Sequence, residues 1–211
     1  GFSSSEIVKR LVSRWDLGFT ILPMTESEVD TQVLFSGEDG EESMHFQEWW
    51  TRYRADIPPR AFINPGIESS LPAAGVIEAI SSADIVIMAP SNPIVSIGPI
   101  LAVPGIRDAI ASTHASVVGI SPIIGGKVVR GMADICLETV GVEVSARGVA
   151  SHYGARSSGG LVDAFLIDSV DESISSHIRD SGIRVLSRSI WMRDDSEASS
   201  LAGATLDFAQ D

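Results

Sequence analysis

The sequence predicts an α/β fold, in which a doubly wound and mostly parallel sheet carries a small inserted α+β lobe. Two patterns lead to this prediction. After residue 60, short apolar runs alternate with segments of helical length, and strands separated by helices pair in parallel with right-handed crossovers. Before residue 60, strand-like runs follow one another too closely to leave room for crossover helices, so they form a separate small lobe.

The first sixty residues contain one amphipathic helix and the elements of the lobe. Apolar residues at 7, 8, 11, 12 and 15 have helical spacing after the serines at 3–5, which are suited to an N-cap, so this helix is expected to end near Gly18. Turn-forming residues separate the later runs. The elements predicted for the lobe are strands at 19–22, 31–35 and 43–46, a hairpin turn at 36–40, a helix at 47–54 and a closing segment at 57–59.

The rest of the chain alternates helices and strands. Gly141 and Gly182 are suited to end helices because glycine adopts the left-handed conformation, and Ser145 and Asp194 are suited to begin them as N-caps. The predicted strands lie at 84–89, 116–121, 161–167 and 183–187, and the predicted helices at 73–81, 104–112, 132–140, 145–153, 171–181 and 194–208. This order is that of a Rossmann-like sheet with helices on both faces.

Composition indicates a globular protein and excludes several classes of partner. Of the 211 residues, 44% are hydrophobic and 20% charged, which is enough apolar sequence for one or two domains with a packed core. A net charge of −13 argues against duplex nucleic acid or an anionic membrane as a partner, because both require basic surfaces. The single cysteine, Cys136, allows no disulfide, and no apolar run has the length of a membrane span, so we expect a cytoplasmic protein.

The loop after the strand at 84–89 is the first predicted ligand site. Its uninterrupted apolar run is typical of a strand buried on both faces of a parallel sheet, and ligands bind at the carboxyl end of such strands. Ser91 and Asn92 follow it between Pro90 and Pro93, which are expected to keep the chain from entering a helix at once. Their side chains either hold a ligand or cap the following helix. We favour the ligand because of their place in the sheet.

The uncharged segment that follows supplies a second set of candidates. Residues 96–105 mix serine, glycine and proline, which suits backbone N–H groups that lie close to a phosphate. Ser96 and Gly98 are therefore candidates for phosphate binding. Tight packing of a buried loop explains the same residues, and the sequence does not separate the two explanations.

A second strand and loop repeat this layout. An apolar run is followed by Ser121, by a proline, by the pair Gly125 and Gly126 and then by a cation, Lys127. The glycines allow close approach, and Lys127 and the nearby Arg130 offset the charge of a diphosphate. The alternative is a surface turn with a solvated lysine, and we favour the ligand. Two such loops side by side predict one pocket that holds a nucleotide.

Other chemistry-bearing residues have simpler explanations. His45 and Glu48 alone are an incomplete set of metal ligands, so His45 is expected to be structural. The adjacent Trp49 and Trp50 are suited to shape a pocket for an aromatic acceptor. Asp163 heads a strand, where a functional role and a turn role are equally compatible with the sequence. No nucleophile elbow and no Cys/His pair is recognisable in the sequence, so no catalytic residue is predicted.

Three stretches of the sequence carry a resemblance to one known family. The resemblance is to the 2-phospho-L-lactate transferases of coenzyme F420 biosynthesis, and most closely to the actinobacterial branch, described as phosphoenolpyruvate transferases. It rests on the stretches Ala89-Pro-Ser-Asn-Pro-Ile-Val-Ser-Ile-Gly98, Gly119-Ile-Ser-Pro-Ile-Ile-Gly-Gly-Lys127 and His45-Phe-Gln-Glu-Trp-Trp50. The match covers essentially the whole chain in order.

The resemblance implies a Mg²⁺-dependent transferase. It implies that a 2-phospholactyl or phosphoenolpyruvyl group leaves a guanosine diphospho-linked donor and joins the deazaflavin FO, with release of GMP. Family members are longer and open with a Gly-Gly-Val-Gly-Gly loop and metal-binding aspartates that this sequence lacks. The Mg²⁺ ligands are therefore expected on an amino-terminal portion outside this chain, which is expected to be incomplete as a catalyst. The family also implies a homodimer.

These observations divide the chain into three parts. Residues 1–18, which start without Met, are expected to form a helix from the core of a longer protein, residues 19–60 the inserted lobe, and residues 61–211 the nucleotide-binding part. The competing interpretation is a noncatalytic regulator that binds a nucleotide or nucleotide sugar, like proteins of the gluconeogenesis-factor type. The loop at 90–93 is compatible with both interpretations, whereas the Trp-rich segment at 45–50 favours the transferase.

Overall fold

The computed structural model describes residues 1–38 and 40–211, so Asp39 in the predicted hairpin turn lies outside the described residues. The first part of the chain contains α1 (Ser4–Val12), β1 (Gln32–Gly37), β2 (Gly40–His45), α2 (Phe46–Thr51), β3 (Pro59–Ile63), α3 (Val76–Ser82) and β4 (Ile85–Met88). The second part contains a π-helix (Pro93–Ile97), α4 (Gly98–Ala102), α5 (Ile106–Ser112), β5 (Ser116–Ile120), β6 (Ile123–Ile124), β7 (Lys127–Val128), α6 (Ala133–Thr139), α7 (Ala146–Tyr153), β8 (Ala164–Ile167), α8 (Ser175–Asp180), β9 (Arg184–Ser187) and α9 (Asp195–Gln210).

The main sheet has four strands in the order β4-β5-β8-β9, and every neighbouring pair is parallel. β5 lies inside this sheet, where Val118 is opposite Ile87 on one side and Ala164 on the other. With the small antiparallel elements described below, this arrangement confirms the predicted α/β fold. All carboxyl ends of the four strands therefore meet at one edge, where the ligand loops are predicted.

Both faces of the inner strands are covered, and each face has its own core. Successive side chains of a strand point to opposite faces, so Phe165 of β8 joins the larger core with α6 and α7, while Leu166 joins a smaller core with α9. All four residues of β8 are buried. β4 differs from the prediction, because it is the edge strand of the described sheet and Ile87 is 41% exposed.

The lobe is a three-stranded antiparallel sheet in the order β2-β1-β3, with α2 packed against it. Its core contains the fully buried Val33 and Trp49, and the same core includes Met132 and Cys136 at the start of α6. The Trp49 indole donates a hydrogen bond to the carbonyl of Ile57 at 2.8 Å. The lobe is thus packed directly onto the α/β part beside the carboxyl edge of the main sheet.

Two strand predictions for the lobe differ from the structure. The predicted strand at 19–22 is wrong: this segment is irregular, and Phe19 is 66% exposed, because no neighbouring strand of the described chain pairs with it. The sequence analysis also missed β3, which pairs with β1 and includes Pro59 at its first position, where a missing N–H is tolerated. The division into parts at residues 18 and 60 stays a prediction.

Two helices end earlier than predicted. α1 begins with the expected capping box, in which Ser3 and Glu6 bond each other's backbone N–H groups, but it ends at Val12 and not near Gly18. α2 ends at Thr51 because Arg54 and Ala55 adopt positive φ angles of 53° and 61°, which no α-helix accommodates.

The segment after β4 is helical, which corrects the predicted loop. Pro93 is the first residue of the π-helix, and α4 follows it without a break. Proline is favoured at the first helical position because its missing N–H has no partner there and its φ angle already suits a helix. Pro93 therefore starts a helix that it was expected to prevent.

Asp163 has a structural role at the amino end of the sheet. Its carboxylate accepts a hydrogen bond from the Val117 backbone N–H at 2.9 Å and pairs with Arg156 at 2.7 Å. Arg156 also donates to the Thr113 carbonyl at 2.9 Å, so it joins three segments that precede or begin strands. The turn role that the sequence left open is the one these contacts support, at the end of the sheet opposite to the predicted loops.

No single helix in the described part of the chain has the length and apolar composition needed to cross a membrane. The pair that meets both conditions together, Pro93–Ala102 with Ile106–Ser112, is bent by 90° between its two members.

Two glycine-to-alanine substitutions test the packing of the fold. In Gly148→Ala, the new Cβ would clash with the Glu143 carbonyl oxygen, so α7 must shift, and we expect the free energy of unfolding to fall by about 2 kcal/mol. Gly203→Ala makes the same change in α9, where nothing lies within 4 Å, and is expected to stabilise by about 0.5–1 kcal/mol. Urea unfolding of both variants measures the difference, and equal effects would contradict the close contact at Gly148.

Candidate functional site

A cavity of about 770 Å³ lies at the carboxyl ends of β4 and β5. Five segments of the chain line it. They are α2 of the lobe (Phe46, Gln47, Trp50), the loop and π-helix after β4 (within 90–96), the turn after β5 (within 121–124), the segment at 129–133 before and into α6, and the segment at 190–193 after β9. A second hollow of about 480 Å³ lies against α1 within residues 9–20 and contains none of the predicted site residues.

The structure brings five of the nine predicted site residues to this cavity. Those that line it are Ser91, Asn92, Ser96, Ser121 and Arg130. The other four, Gly98, Gly125, Gly126 and Lys127, do not line it. The loops after β4 and β5 therefore share one hollow as the sequence predicted, although ligand binding by any of these residues stays a prediction.

Asn92 is the N-cap of the π-helix. Its side-chain oxygen accepts hydrogen bonds from the backbone N–H groups of Ile94 at 2.9 Å and Val95 at 3.3 Å. Its backbone carbonyl accepts from the N–H groups of Ser96 and Ile97 at 3.1 and 3.0 Å. The capping role that the sequence left open is thus present, and the N–H of Ser96 already has a partner. The side-chain hydroxyl of Ser96, which is exposed, is the group of that residue available to a ligand.

Ser121 also satisfies local backbone groups. Its hydroxyl donates to the Ile123 carbonyl at 2.8 Å and accepts from the Ile123 N–H at 3.1 Å. The residue is 2% exposed, so this hydroxyl shapes the turn after β5. Ser91, by contrast, is half-buried at the cavity, where its hydroxyl can reach a ligand.

A two-residue hairpin connects the turn after β5 to Arg130. Gly125 and Gly126 form its tip with φ angles of 58° and 71°, a conformation that favours glycine at both positions. The Gly125 N–H donates to the carboxylate of Asp171 at 3.0 Å, and Asp171 is 9% exposed. The glycines thus form a turn that the hydrogen bond to Asp171 holds in place. Lys127 is exposed and lies outside the cavity. Ligand binding by these glycines stays a prediction.

Two arginines line the cavity, and they differ in their ion pairs. Arg193 forms hydrogen bonds to Glu197, and this carboxylate raises the pKa of the Arg193 guanidinium and has its own pKa lowered. Within the described part of the chain, no carboxylate lies within 4.0 Å of the Arg130 side chain. The charge of Arg130 is therefore not paired with a carboxylate of the described residues, and ligand binding by Arg130 stays a prediction.

Apart from Trp50, the aromatic and apolar residues of the cavity wall were not predicted from the sequence. Trp49 and Trp50 are adjacent on a helix and so point in different directions: Trp49 is fully buried, whereas Trp50 is 37% exposed in the cavity. Trp191 and Met192 follow the last parallel strand and are 40% and 51% exposed. Their position after a strand's carboxyl end was the available signal, and it was overlooked because the segment carries no glycine or phosphate-binding pattern.

His45 acts as the N-cap of α2. Its Nδ1 accepts a hydrogen bond from the Gln47 N–H at 3.0 Å, and its Nε2 lies 3.6 Å from the Asp30 carboxylate. Across residues 1–38 and 40–211, no three His, Cys, Asp or Glu side chains are grouped so that they can hold a metal ion. The structural interpretation of His45 agrees with these contacts.

The chain is similar in sequence to one family along most of its length. The family described as 2-phospho-L-lactate transferase CofD matches residues 1–198. Relatives named phosphoenolpyruvate transferase include one from Thermobifida fusca, which is 48% identical over 209 residues, covering 99% of this chain and 62% of the relative. Others from Mycolicibacterium smegmatis and Streptomyces coelicolor are each 43% identical over 211 residues, covering 99% and 100% of this chain and 63% and 65% of the relatives. The chain thus spans less than two thirds of their length.

Solved structures show the same fold at low sequence identity. Two crystal structures from Bacillus halodurans, one described as a member of the UPF0052 family, superimpose with TM-scores of 0.60 and 0.61 at 18% identity. They cover 96% of this chain, which covers 66% of each of them. At this identity the likeness concerns the fold alone.

The buried thiol behind the cavity predicts a dependence of stability on pH. Burial is the main reason that the pKa of Cys136 is raised to about 11; a hydrogen bond with Asn92 lowers it, and the charge of Asp134 raises it further. Between pH 9 and 11 the unfolded chain loses this proton while the folded chain keeps it. The free energy of unfolding should therefore fall as pH rises through this window, at up to about 1.4 kcal/mol per pH unit.

Comparison with Cys136→Ala isolates this contribution, because every other titratable side chain is present in both proteins. Urea unfolding at pH 8 and pH 10 should show a larger loss for the wild-type chain than for the variant. Equal losses in the two proteins would contradict a strongly buried thiol.

Proposed function

The chain belongs to the 2-phospho-L-lactate transferase CofD family, and from this premise we propose that it forms the nucleotide-binding part of a transferase of coenzyme F420 biosynthesis. The reaction proposed is transfer of a 2-phospholactyl or phosphoenolpyruvyl group from a guanosine diphospho-linked donor to the deazaflavin FO, with release of GMP. The names of the 43–48% identical relatives favour phosphoenolpyruvate. Because the chain spans under two thirds of those relatives, the activity and both substrates are proposals.

The observation that carries the proposal is the shared cavity at the carboxyl edge of the parallel sheet. The loops after β4 and β5 converge there, as they do around nucleotides in other doubly wound sheets. A chain with a net charge of −13 repels an anionic ligand unless local cations offset that charge, and Arg130 supplies one in this cavity. The aromatic residues Trp50 and Trp191 suit the ring of a nucleobase or deazaflavin.

The described residues contribute binding and orientation to the proposed reaction. The proposed role of the Arg130 guanidinium is to hold two phosphate oxygens at once, which its planar pair of donors allows. Ser91 and Ser96 offer hydroxyls to the ribose or the phosphates. Attack of an alcohol on a phosphoryl centre requires charge neutralisation and an in-line approach more than a nucleophile on the protein. A cavity with binding groups suits such direct transfer.

The family resemblance implies Mg²⁺, which in such reactions neutralises charge on the phosphates. The buried Oδ1 of Asp134 has no hydrogen-bond partner in the described part of the chain, but one isolated carboxylate oxygen does not fit a divalent ion by itself. Because the chain spans under two thirds of its relatives, we propose that the remaining Mg²⁺ ligands belong to residues outside this chain.

The lobe supports the transferase over a noncatalytic regulator. Phe46, Gln47 and Trp50 of α2 line the same cavity as the loops of the main sheet, which gives the hollow room for a second aromatic substrate beside a nucleotide. A regulator that binds a single nucleotide does not require this wall. A homodimer and a cytoplasmic location remain proposals that follow from the family resemblance and composition.

Calorimetry with GDP and GMP tests the nucleotide site. We expect Arg130→Gln to weaken GDP binding about tenfold or more, because it removes a charge-assisted contact to phosphate. Lys127→Gln removes the same charge from the same hairpin region but outside the cavity, and it should change the dissociation constant by less than about twofold. Equal effects of the two substitutions would show that the cavity does not hold the phosphates, and no binding to the wild-type chain would contradict the proposed site.

Two substitutions of Asn92 separate ligand binding from capping. Asn92→Asp keeps an oxygen for the Ile94 and Val95 N–H groups but replaces the amide donor with negative charge, so it should weaken GDP binding while the helix cap is retained. Asn92→Ala removes the cap and should lower the free energy of unfolding by about 1 kcal/mol. Urea unfolding and calorimetry on both variants are the measurements. If Asn92→Asp binds GDP as the wild type does, Asn92 serves as a cap alone.

A further inference from the structure

The segment at 190–193 forms a wall of the cavity although it follows the edge strand β9. Ile190 is 4% exposed and packs into the smaller core beside Ile120 of β5 and Leu201 of α9. The next two residues, Trp191 and Met192, line the cavity and remain partly exposed. The chain thus crosses from the edge of the sheet toward β5, and contacts within the fold must keep this segment in place.

The buried carboxylate of Asp168 holds the start of this wall. Asp168 follows β8 directly and is 2% exposed. One of its oxygens accepts from the Ile190 N–H at 3.1 Å, and the other accepts from the Val170 N–H at 3.1 Å. A buried carboxylate is costly unless its oxygens are hydrogen-bonded, so this arrangement is stable only while Ile190 keeps its position.

The far end of the wall is fixed by the start of α9. Asp194 is the N-cap of that helix, and its side chain accepts from the Glu197 N–H at 2.8 Å. Glu197 in turn accepts from the backbone N–H of Arg193 at 2.9 Å and from its guanidinium. Trp191 and Met192 therefore lie between two residues, Ile190 and Arg193, whose backbone N–H groups are held by hydrogen bonds to carboxylates.

We propose that Trp191 is a ligand-contacting residue that recognises a planar fused heteroaromatic ring, and that Asp168 is the positioning residue that holds it in the cavity. An indole ring 40% exposed in a hollow gains from covering by a flat ring, through burial and through stacking geometry. Two sources in the proposed reaction have such a ring, the guanine base and the deazaflavin. This proposal rests on the proposed function, because it assigns the ring-binding part of the same site.

Three probes distinguish the ring from the phosphates and one ring source from the other. GDP, FO and inorganic pyrophosphate are titrated separately into the wild-type chain, Trp191→Ala and Trp191→Phe. We expect Trp191→Ala to weaken the binding of GDP or of FO, whichever ring Trp191 contacts, by about tenfold. The binding of pyrophosphate should not change. Trp191→Phe keeps a ring and should restore binding to within about threefold of the wild type. Trp15→Ala, an exposed tryptophan against α1, is the matched control and should change nothing.

A double-mutant cycle tests the role of Asp168. Asp168→Asn replaces one accepting oxygen with a donor, so Ile190 or Val170 loses its partner and the wall shifts. It should weaken the ring-bearing probe about threefold to tenfold alone, and should add little in the Trp191→Ala background. Asp171→Asn is the control. Asp171 lies three residues after Asp168 and accepts a hydrogen bond from the Gly125 N–H, so its substitution alters a different buried contact and should not couple with Trp191. Urea unfolding verifies that every variant is folded under the assay conditions.

The outcomes separate the failure of this inference from that of the proposed function. If the wild-type chain binds neither GDP nor FO, the proposed function fails and the inference fails with it. If it binds one of them and Trp191→Ala binds equally well, the inference alone is overturned. If Asp168→Asn weakens binding by the same factor with and without Trp191, Asp168 stabilises the fold and does not position the tryptophan.

Discussion

Parallel pairing of β4, β5, β8 and β9 is the constraint on which the rest of the molecule depends. The inner strands are covered on both faces, and their residues Val118, Phe165 and Leu166 are fully buried and apolar. Polar side chains are therefore found at the ends of these strands. Parallel strands send all their carboxyl ends to one edge, and the chain must leave each strand there through a loop whose backbone groups need partners. Several polar side chains at this edge form hydrogen bonds with these backbone groups.

This requirement decides which groups remain available to a ligand. Asn92 caps the helix after β4, Ser121 closes the turn after β5, and Asp168 and Asp171 each hold a backbone N–H of a neighbouring loop. All four are polar, yet the side-chain oxygens that accept or make these hydrogen bonds are already used. Arg130 is the cavity cation without an ion pair among the described residues, and it does not cap a helix. In the proposed function, the groups left to a ligand at this edge are one cation, the hydroxyls of Ser91 and Ser96, the Asn92 amide donor and exposed rings.

The inner strands and most helices of the main sheet were predictable because a short apolar run or a cap such as Ser145 is decided within a few residues. The errors came from contacts that a local pattern does not contain. Pro93 was interpreted as a helix breaker, but as a first helical residue it begins one. Phe19 lies in an apolar run without a partner strand. The wall at Trp191 depends on a bond between residues 168 and 190, which no short window contains.

The lobe and the main sheet form different walls of the cavity because they are joined behind the cavity and not across it. The core that contains Trp49 and Cys136 ties α2 to α6, so the Trp50 wall and the Arg130 segment keep a fixed relation to each other. Trp191 reaches the cavity from the other core of the sheet, through the contact of Ile190 with α9. Rings thus lie on two walls and the cation on a third. A ligand that carries both a flat ring and phosphates satisfies all three walls, whereas a bare anion or an apolar molecule leaves at least one of them in water.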